Sequence, residues 1–225
     1  MIDDNINHEY IIRYLRHLLP KRKGITGDLE AFAKEYDVPI SQPESMKLLE
    51  VLIRIGNIKS VLEVGCAIGY SAICMIQAGC EKIDTIEISE DAARVARENF
   101  KKAGFEDKIT LHFGDAKEVL PKMDGCYDMI FIDAAKGQYQ EFFPHCMRML
   151  KKGGLLVSDN VLYKGMTATD ELVLHRKITI VKRLRKYLEM LSTAEYLETT
   201  VLPIGDGVAL SYKISDTEEN YNVLR

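Results

Sequence analysis

The chain has 225 residues, of which 47% are hydrophobic and 28% charged, with a formal net charge of −4. That composition predicts one globular domain over residues 1–225 and argues against a protein that coats nucleic acid nonspecifically. No apolar run approaches the ~20 residues that span a bilayer, and the polar N-terminus does not resemble a secretory signal. Five cysteines without a CxxC pair favour a reducing compartment, so we expect a cytoplasmic protein with no membrane contact.

Helices are predicted for about the first 57 residues. Apolar residues at helical spacing indicate helices over 4–19 and 28–36. Ser41–Glu44 matches the capping box S-x-x-E and should open a third helix, which Gly56 ends.

From residue 58 to 214 the pattern changes to alternating strands and helices. Strands are predicted over 60–65, 82–88, 109–113, 127–133, 155–159, 195–202 and 208–214. Intervening helices are predicted over 71–78, 89–104, 116–120, 139–150 and 171–190. The fold class is therefore α/β, a doubly wound, Rossmann-like, mostly parallel seven-stranded sheet with a C-terminal antiparallel strand pair and extra N-terminal helices. Residues 215–225 are expected to be a frayed tail.

Acidic side chains follow two of the predicted strands. Asp133 ends the strand 127–133, and Asp159 with Asn160 ends the strand 155–159. Ligands collect at the carboxyl ends of parallel strands, and hard divalent cations prefer oxygen ligands. The three side chains predict a metal site, although each aspartate alone could instead cap a turn.

A second group of residues predicts a nucleotide-type site. Glu63–Gly69 reads E-x-G-x-x-x-G between a strand and a helix, where glycine allows a sharp turn and close approach to a ligand. Glu87 and Asp115 follow the next two strands, which suits the ribose and adenine of an adenosine-type ligand, whereas helix capping is the structural alternative. An acid at Glu63 suits a ligand with a positively charged amino acid end better than a pyrophosphate.

Basic residues are concentrated in two stretches, 21–23 and 175–186. A solvated helix face is the simpler interpretation of such a stretch, and a phosphate-binding patch is the functional one. His112 and His145 lie in core-like patterns and are interpreted as structural.

Over residues 5–214 the chain resembles the class I S-adenosylmethionine-dependent methyltransferases, and within them the metal-dependent catechol-type O-methyltransferases. The motifs that carry this resemblance are E-x-G-x-x-x-G-Y-S, F-I-D-A-A-K, D-N and the late G-D-G. Within the family, A-I-G-Y-S-A-I, F-I-D-A-A-K-G-Q-Y-Q, D-N-V-L-Y-K-G and P-I-G-D-G look like the bacterial branch that methylates 5-hydroxyuridine in the tRNA anticodon.

The resemblance implies a role for each matching residue. Implied contacts to S-adenosylmethionine are Ser41, Glu63, Gly65, Ser71, Glu87, Asp115, Ala116 and Asp133. Implied ligands of Mg2+ or another divalent cation are Asp133, Asp159 and Asn160, and Lys136 is the candidate general base. Small residues, Ala134 and Ala135, follow the first metal aspartate, where the animal catechol enzymes have bulkier ones.

We expect metal-dependent O-methylation of 5-hydroxyuridine at the tRNA wobble position by a homodimeric enzyme. The motifs serve a catechol equally well, because both substrates offer two neighbouring oxygens to one cation. A nicotinamide-dependent oxidoreductase is disfavoured by the glycine spacing. A non-catalytic tRNA-binding module would not need Asp133, Lys136, Asp159 and Asn160 together.

Overall fold

The computed structural model describes residues 5–216, so most of the predicted tail lies outside the described residues. Seven strands form one sheet in the order β3-β2-β1-β4-β5-β7-β6. β7 is antiparallel to both of its neighbours, and the other pairings are parallel. The strands are β1 Ser60–Val64, β2 Lys82–Glu87, β3 Ile109–Phe113, β4 Tyr127–Ile132, β5 Leu150–Ser158, β6 Leu197–Leu202 and β7 Val208–Lys213. The predicted sheet and its antiparallel pair are confirmed.

Helices pack on both faces of this sheet and create two cores. The helices are α1 Glu9–Leu18, α2 Ile25–Glu35, α3 Pro43–Ile55, α4 Tyr70–Ala78, α5 Glu90–Ala103, α6 Ala116–Val119, α7 Tyr139–Met149 and α8 Ile178–Thr193. α2 to α5 supply one core, with Ile73 and Phe100 buried in it. α6 to α8 supply the other, around Phe142 and Leu184. Alternating side chains of the buried strands face these two cores in turn.

The predicted capping box is wrong. α3 begins at Pro43, and the preceding Gln42 makes no side-chain cap. Glu44 accepts two hydrogen bonds from Arg16, at 2.9 and 2.8 Å, so its carboxylate does not bond back to the helix start. Ser41 Oγ instead donates to Asp133 Oδ2 at 3.3 Å, a tertiary contact that replaces the local one.

Three predicted boundaries move by five residues or more. The first helix begins at Glu9 instead of residue 4. β5 begins at Leu150, five residues earlier than expected, because Leu150 already pairs with Tyr127, and residues 151–154 form an irregularity before Leu155 pairs with Met129. The long helix starts at Ile178 instead of 171, preceded by a 3-10 turn at His175–Lys177. The segment before that turn is held against α8 by hydrogen bonds. Arg185 of α8 donates to the carbonyls of Met166 and Thr167 and pairs with Asp170 at 2.6 Å.

The turn between β6 and β7 positions the loop that follows β5. Val161 N–H donates to Gly207 O at 2.9 Å and Leu162 N–H to Asp206 O at 3.0 Å. The Asp206 carboxylate also accepts a hydrogen bond from the main-chain N–H of Lys164. A Cβ at Gly207 would lie 2.3 Å from Leu162 Cγ, so this late glycine is required for close packing. The G-D-G motif therefore supports the loop after Asn160.

Candidate active site

A cleft of about 570 Å3 lies at the carboxyl ends of the parallel strands. The site residues named from sequence line this cleft with two exceptions, Glu63 and Asp159, which lie behind its wall. The lining members are Ser41, Gly65, Ser71, Glu87, Asp115, Ala116, Asp133, Lys136 and Asn160. The two sequence-predicted groups, acids at strand ends and the glycine turn, therefore share one cleft.

Gly65 allows β1 to turn directly against the end of β4. Its φ is +102°, and a Cβ built on it would lie 2.1 Å from the carbonyl oxygen of Asp133. Gly69, with a φ of +84°, then leads into α4. Any side chain at Gly65 would displace the main chain that carries Asp133.

Glu87 and Asp115 face the cleft and also stabilise its walls. Glu87 Oε2 accepts hydrogen bonds from the N–H groups of Ala67 at 2.7 Å and Cys66 at 3.3 Å, and Oε1 accepts from Ser89 N–H at 2.8 Å. Asp115 caps α6 by accepting from Lys117 N–H at 2.9 Å. The capping role considered from sequence is thus present for Asp115, and the ligand roles of both residues stay predictions.

Glu63 is fully buried behind Ser71. Its carboxylate accepts hydrogen bonds from the Ser71 hydroxyl and, at 2.5 Å, from Thr85 Oγ1. Burial raises the pKa of Glu63 to about 7, although the two hydroxyls oppose that shift. Glu63 therefore orients Ser71, and its own carboxylate does not line the cleft.

Asp159 is buried, and Asp133, which is partly exposed where it lines the cleft, lies close to it, as the strand order predicted. Asp133 Oδ2 accepts a long hydrogen bond, of 3.3 Å, from the Ser41 hydroxyl. Asp159 Oδ1 accepts from Asn160 N–H at 2.7 Å, and its Oδ2 is a buried atom without a hydrogen-bond partner in the described chain. Burial raises the pKa of both carboxyls, and the charge of Asp133 raises that of Asp159 further. A cation between the two carboxylates would offset both the cost of desolvating them and their mutual repulsion.

Asn160 completes an oxygen donor set that fits a hard divalent cation. Between residues 5 and 216 no group of three or more His, Cys, Asp or Glu side chains could hold a metal, and the third oxygen donor predicted from sequence is the amide of Asn160. Asn160 Oδ1 accepts a hydrogen bond from Lys136 Nζ at 2.8 Å, and a carbonyl oxygen has a second lone pair. Two carboxylates and one amide oxygen suit Mg2+ in charge and hardness.

Sequence reasoning did not single out Tyr163, which lies beside this donor set. The ring of Tyr163 is 5.9 Å from Lys136 Nζ and 5.8 Å from Lys177 Nζ, within cation–π range of both. Its φ is +47°, unusual for a tyrosine, which shows how strongly the surrounding loop is constrained. The sequence signal that could have found Tyr163 was its position three residues after Asn160, in the loop that follows the predicted metal ligands.

A larger groove, of about 790 Å3, lies along β2 and β3. Asp84 in this groove is already satisfied by His112 Nε2 at 2.8 Å and by the Tyr127 hydroxyl at 3.1 Å. His112 is therefore paired with an acid as a structural residue, although it is partly exposed and not in the core. The smaller cleft is the candidate active site because the strand-end acids converge there.

Comparison with known proteins identifies the family. A family model described as O-methyltransferase matches residues 28–214. The chain belongs to this O-methyltransferase family. Similar proteins include a catechol O-methyltransferase of Niastella koreensis, 33% identical over 75% of this chain and 80% of that protein. A crystal structure from Staphylococcus aureus, provisionally named a caffeoyl-CoA O-methyltransferase, is 35% identical, with a TM-score of 0.81 over 91% of this chain and 98% of that one.

A third relative was solved with the methyl donor bound. The O-methyltransferase TomG of Streptomyces achromogenes, in complex with S-adenosylmethionine, is 25% identical, with a TM-score of 0.79 over 96% of this chain and all of that one. The O-methyltransferase described here uses S-adenosylmethionine as its methyl donor. No helix within residues 5–216 is long and apolar enough to cross a membrane.

Replacing Gly65 with alanine should disrupt the contact between β1 and Asp133. We expect the free energy of unfolding to fall by about 3 kcal/mol, because both the main-chain clash and the positive φ oppose a Cβ. Gly79→Ala is the control, since Gly79 has a φ of +129° but open space around its Cβ position. Urea unfolding measures both; equal losses would show that the Asp133 contact contributes nothing.

Glu63 should make the ligand-free protein less stable as the pH rises. The pKa of Glu63 is 4.5 in the unfolded chain and about 7 in the folded protein. Between these two pH values the folded protein keeps a proton that the unfolded chain loses, so stability falls as the pH rises through this range. The glutamine in Glu63→Gln cannot ionise, so its free energy of unfolding should not show this loss. Relative to the wild type, we expect the variant to become more stable by up to about 3 kcal/mol as the pH rises from 5 to 8. Urea unfolding at a series of pH values tests this, with the exposed Glu118→Gln as control. A pH-independent difference would contradict it.

Proposed function

We propose that this enzyme is a Mg2+-dependent O-methyltransferase that converts 5-hydroxyuridine to 5-methoxyuridine at the wobble position of the tRNA anticodon. The fit of Asp133, Asp159 and Asn160 to a divalent cation supports the metal. The motifs shared with the tRNA-modifying branch support the substrate. Five free cysteines and a tRNA substrate are consistent with the cytoplasm as the site of action.

The observation that supports the RNA substrate is the basic rim beside the site, formed by Lys177 and Arg183. Lys177 Nζ and Lys136 Nζ lie against the same ring of Tyr163. Arg183 donates to Gly137 O at 3.0 Å, one residue beyond Lys136, and is half exposed. The rim therefore adjoins the candidate catalytic lysine, which a solvated face elsewhere on the molecule would not do. Lysine and arginine side chains there could bind the phosphates of an anticodon loop.

The wall of the site is open on the side of the acceptor. Ala134 and Ala135 follow Asp133 and line the cleft without bulky side chains. Such a wall suits a base that is turned out of a single-stranded loop while its backbone stays on the surface.

The proposed reaction is an in-line methyl transfer. Asp133, Asp159 and Asn160 would hold the divalent cation, which would supply Lewis acidity that lowers the pKa of the O5 hydroxyl. Lys136 accepts the hydroxyl proton, the oxygen forms the bond to the methyl carbon, and the carbon–sulfur bond breaks to release S-adenosylhomocysteine. The hydrogen bond from Lys136 Nζ to Asn160 Oδ1 supports this role, because it holds the amine beside the predicted cation ligands.

The relatives' names favour a second candidate, a small-molecule O-methyltransferase. The protein of Niastella koreensis is a catechol O-methyltransferase, and the provisional name of the Staphylococcus aureus protein refers to a caffeoyl thioester. A dihydroxyphenyl ring also presents two neighbouring oxygens, so the same donor set could serve it.

A substrate comparison decides between these candidates. Purified enzyme, S-adenosylmethionine and Mg2+ are incubated with tRNA carrying 5-hydroxyuridine, with catechol or with caffeoyl-CoA, and the products are analysed by mass. We expect one added methyl group on the tRNA nucleoside, lost with a chelator and reduced at least 100-fold by Asp159→Asn. Methylation of catechol or caffeoyl-CoA with unchanged tRNA would overturn the RNA substrate, and activity that survives chelation would overturn the metal.

The basic rim should act on RNA binding and not on the methyl donor. We expect Lys177→Ala and Arg183→Ala each to raise the KM for tRNA about tenfold and to weaken its salt dependence, because each removes one phosphate contact. Lys101→Ala is the matched control, since Lys101 is exposed on α5, which packs on the opposite face of the sheet. The Kd of S-adenosylmethionine should stay constant in all three variants. An effect of Lys101→Ala equal to that of the rim variants would contradict a local contact.

We also propose a homodimer that uses the exposed stripe of α1. Tyr10, Tyr14 and Leu18 lie one helical turn apart and are 63%, 62% and 59% exposed. A face of this kind, together with the family resemblance, supports association of two copies. Sedimentation should show a dimer that Tyr14→Glu converts to monomer, whereas Arg13→Glu, also exposed on α1, should leave it intact. A monomeric wild type would refute this assembly.

A further inference from the structure

Tyr139 lies beneath the strand ends that carry the candidate metal ligands. It is fully buried at the start of α7, and its hydroxyl donates to the main-chain carbonyl of Asp159 at 3.0 Å. The same hydroxyl is 3.5 Å from the carbonyl oxygen of Ile132, the residue before Asp133. One phenol therefore contacts the main chain next to both candidate carboxylate ligands.

Tyr187 of α8 supports the neighbouring position. Its hydroxyl is 2.7 Å from Ser158 Oγ, and Ser158 pairs with Ile132 in the register of β4 and β5. The rings of Tyr187 and Tyr139 meet edge to face, with 5.5 Å between centroids and an interplanar angle of 79°. The two tyrosines form one packed unit under the site.

The contact to the Asp159 main chain matters because the Asp159 side chain itself makes few hydrogen bonds. Oδ2 has no hydrogen-bond partner in the described chain, and Oδ1 accepts one hydrogen bond, from the adjacent Asn160 N–H. A contact to the Asp159 main chain opposes separation of the two strand ends without using a carboxylate oxygen. This support therefore takes up none of the carboxylate oxygens, and Asp159 Oδ2 stays available to a cation.

We propose that Tyr139 is a positioning residue for the divalent-cation site, with Tyr187 as its structural support. The inference rests on the metal component of the proposed function. Tyr139 touches neither methyl donor nor acceptor in this role, and it acts through the main chain that carries Asp159.

Tyr139→Phe removes the hydroxyl and keeps the ring. We expect the Kd for Mn2+, measured by calorimetry with S-adenosylmethionine bound, to rise about tenfold. In the metal-free protein, the amide hydrogen of Asp159, which is bonded to Ile132 O at 2.9 Å, should exchange faster. Tyr187→Phe should change both readouts in the same direction and provides a second variant if Tyr139→Phe folds poorly.

Tyr127→Phe is the matched control. It also deletes a buried phenol hydroxyl from the same core, one that bonds to Asp84 and lies away from the metal ligands. Unchanged Mn2+ affinity in Tyr127→Phe, at a similar loss of thermal stability, would support the positioning role. Wild-type affinity in Tyr139→Phe, or an equal loss in Tyr127→Phe, would overturn it. Absence of Mn2+ binding by the wild type would refute the metal component itself, before any variant is compared.

Discussion

Two aspartate carboxylates that lie close together constitute the constraint on which this site depends. Asp133 and Asp159 come from adjacent parallel strands, so the sheet brings them together whether or not their charges are balanced. Burial and mutual repulsion raise the pKa of Asp159, and desolvation raises that of Asp133. Like charges held this close in a largely desolvated place are stable only when a cation or a proton compensates them. Lys136 supplies part of that positive charge, since it lowers the pKa of both carboxyls.

The surrounding contacts keep that arrangement rigid without neutralising it. The lack of a side chain at Gly65 lets the first turn pack on the main chain of Asp133, and Ser41 adds one weak hydroxyl contact. The turn at Gly207 supports the loop after Asn160 from the opposite side. Each contact reaches the main chain or leaves a carboxylate oxygen unused, as preorganised sites require.

The two sides of the cleft differ in how they are made. On the side of the glycine turn, Glu63, Glu87 and Asp115 are engaged with hydroxyl or main-chain groups of the fold, which gives that side a fixed shape. On the side of Asp133, the small side chains of Ala134 and Ala135 line the cleft, and Lys177 and Arg183 lie nearby. One fold can carry sites of different substrate preference when one wall is fixed and another is open.

The sequence by itself determined the architecture and most of the site, because both follow from local patterns. Alternating apolar strands and helices specify a doubly wound sheet, and the carboxyl ends of parallel strands meet at one edge, so Asp133 and Asp159 had to converge. Only the tertiary structure decided that Ser41 bonds to Asp133 instead of capping α3, that Glu63 lies behind Ser71, and that Tyr139 contacts the Asp159 main chain. Within the basic stretch it also separated Arg185, which is bonded to the preceding loop, from Lys177 and Arg183 beside the site. These outcomes depend on which distant groups compete for one hydrogen bond, and spacing along the chain does not encode that competition.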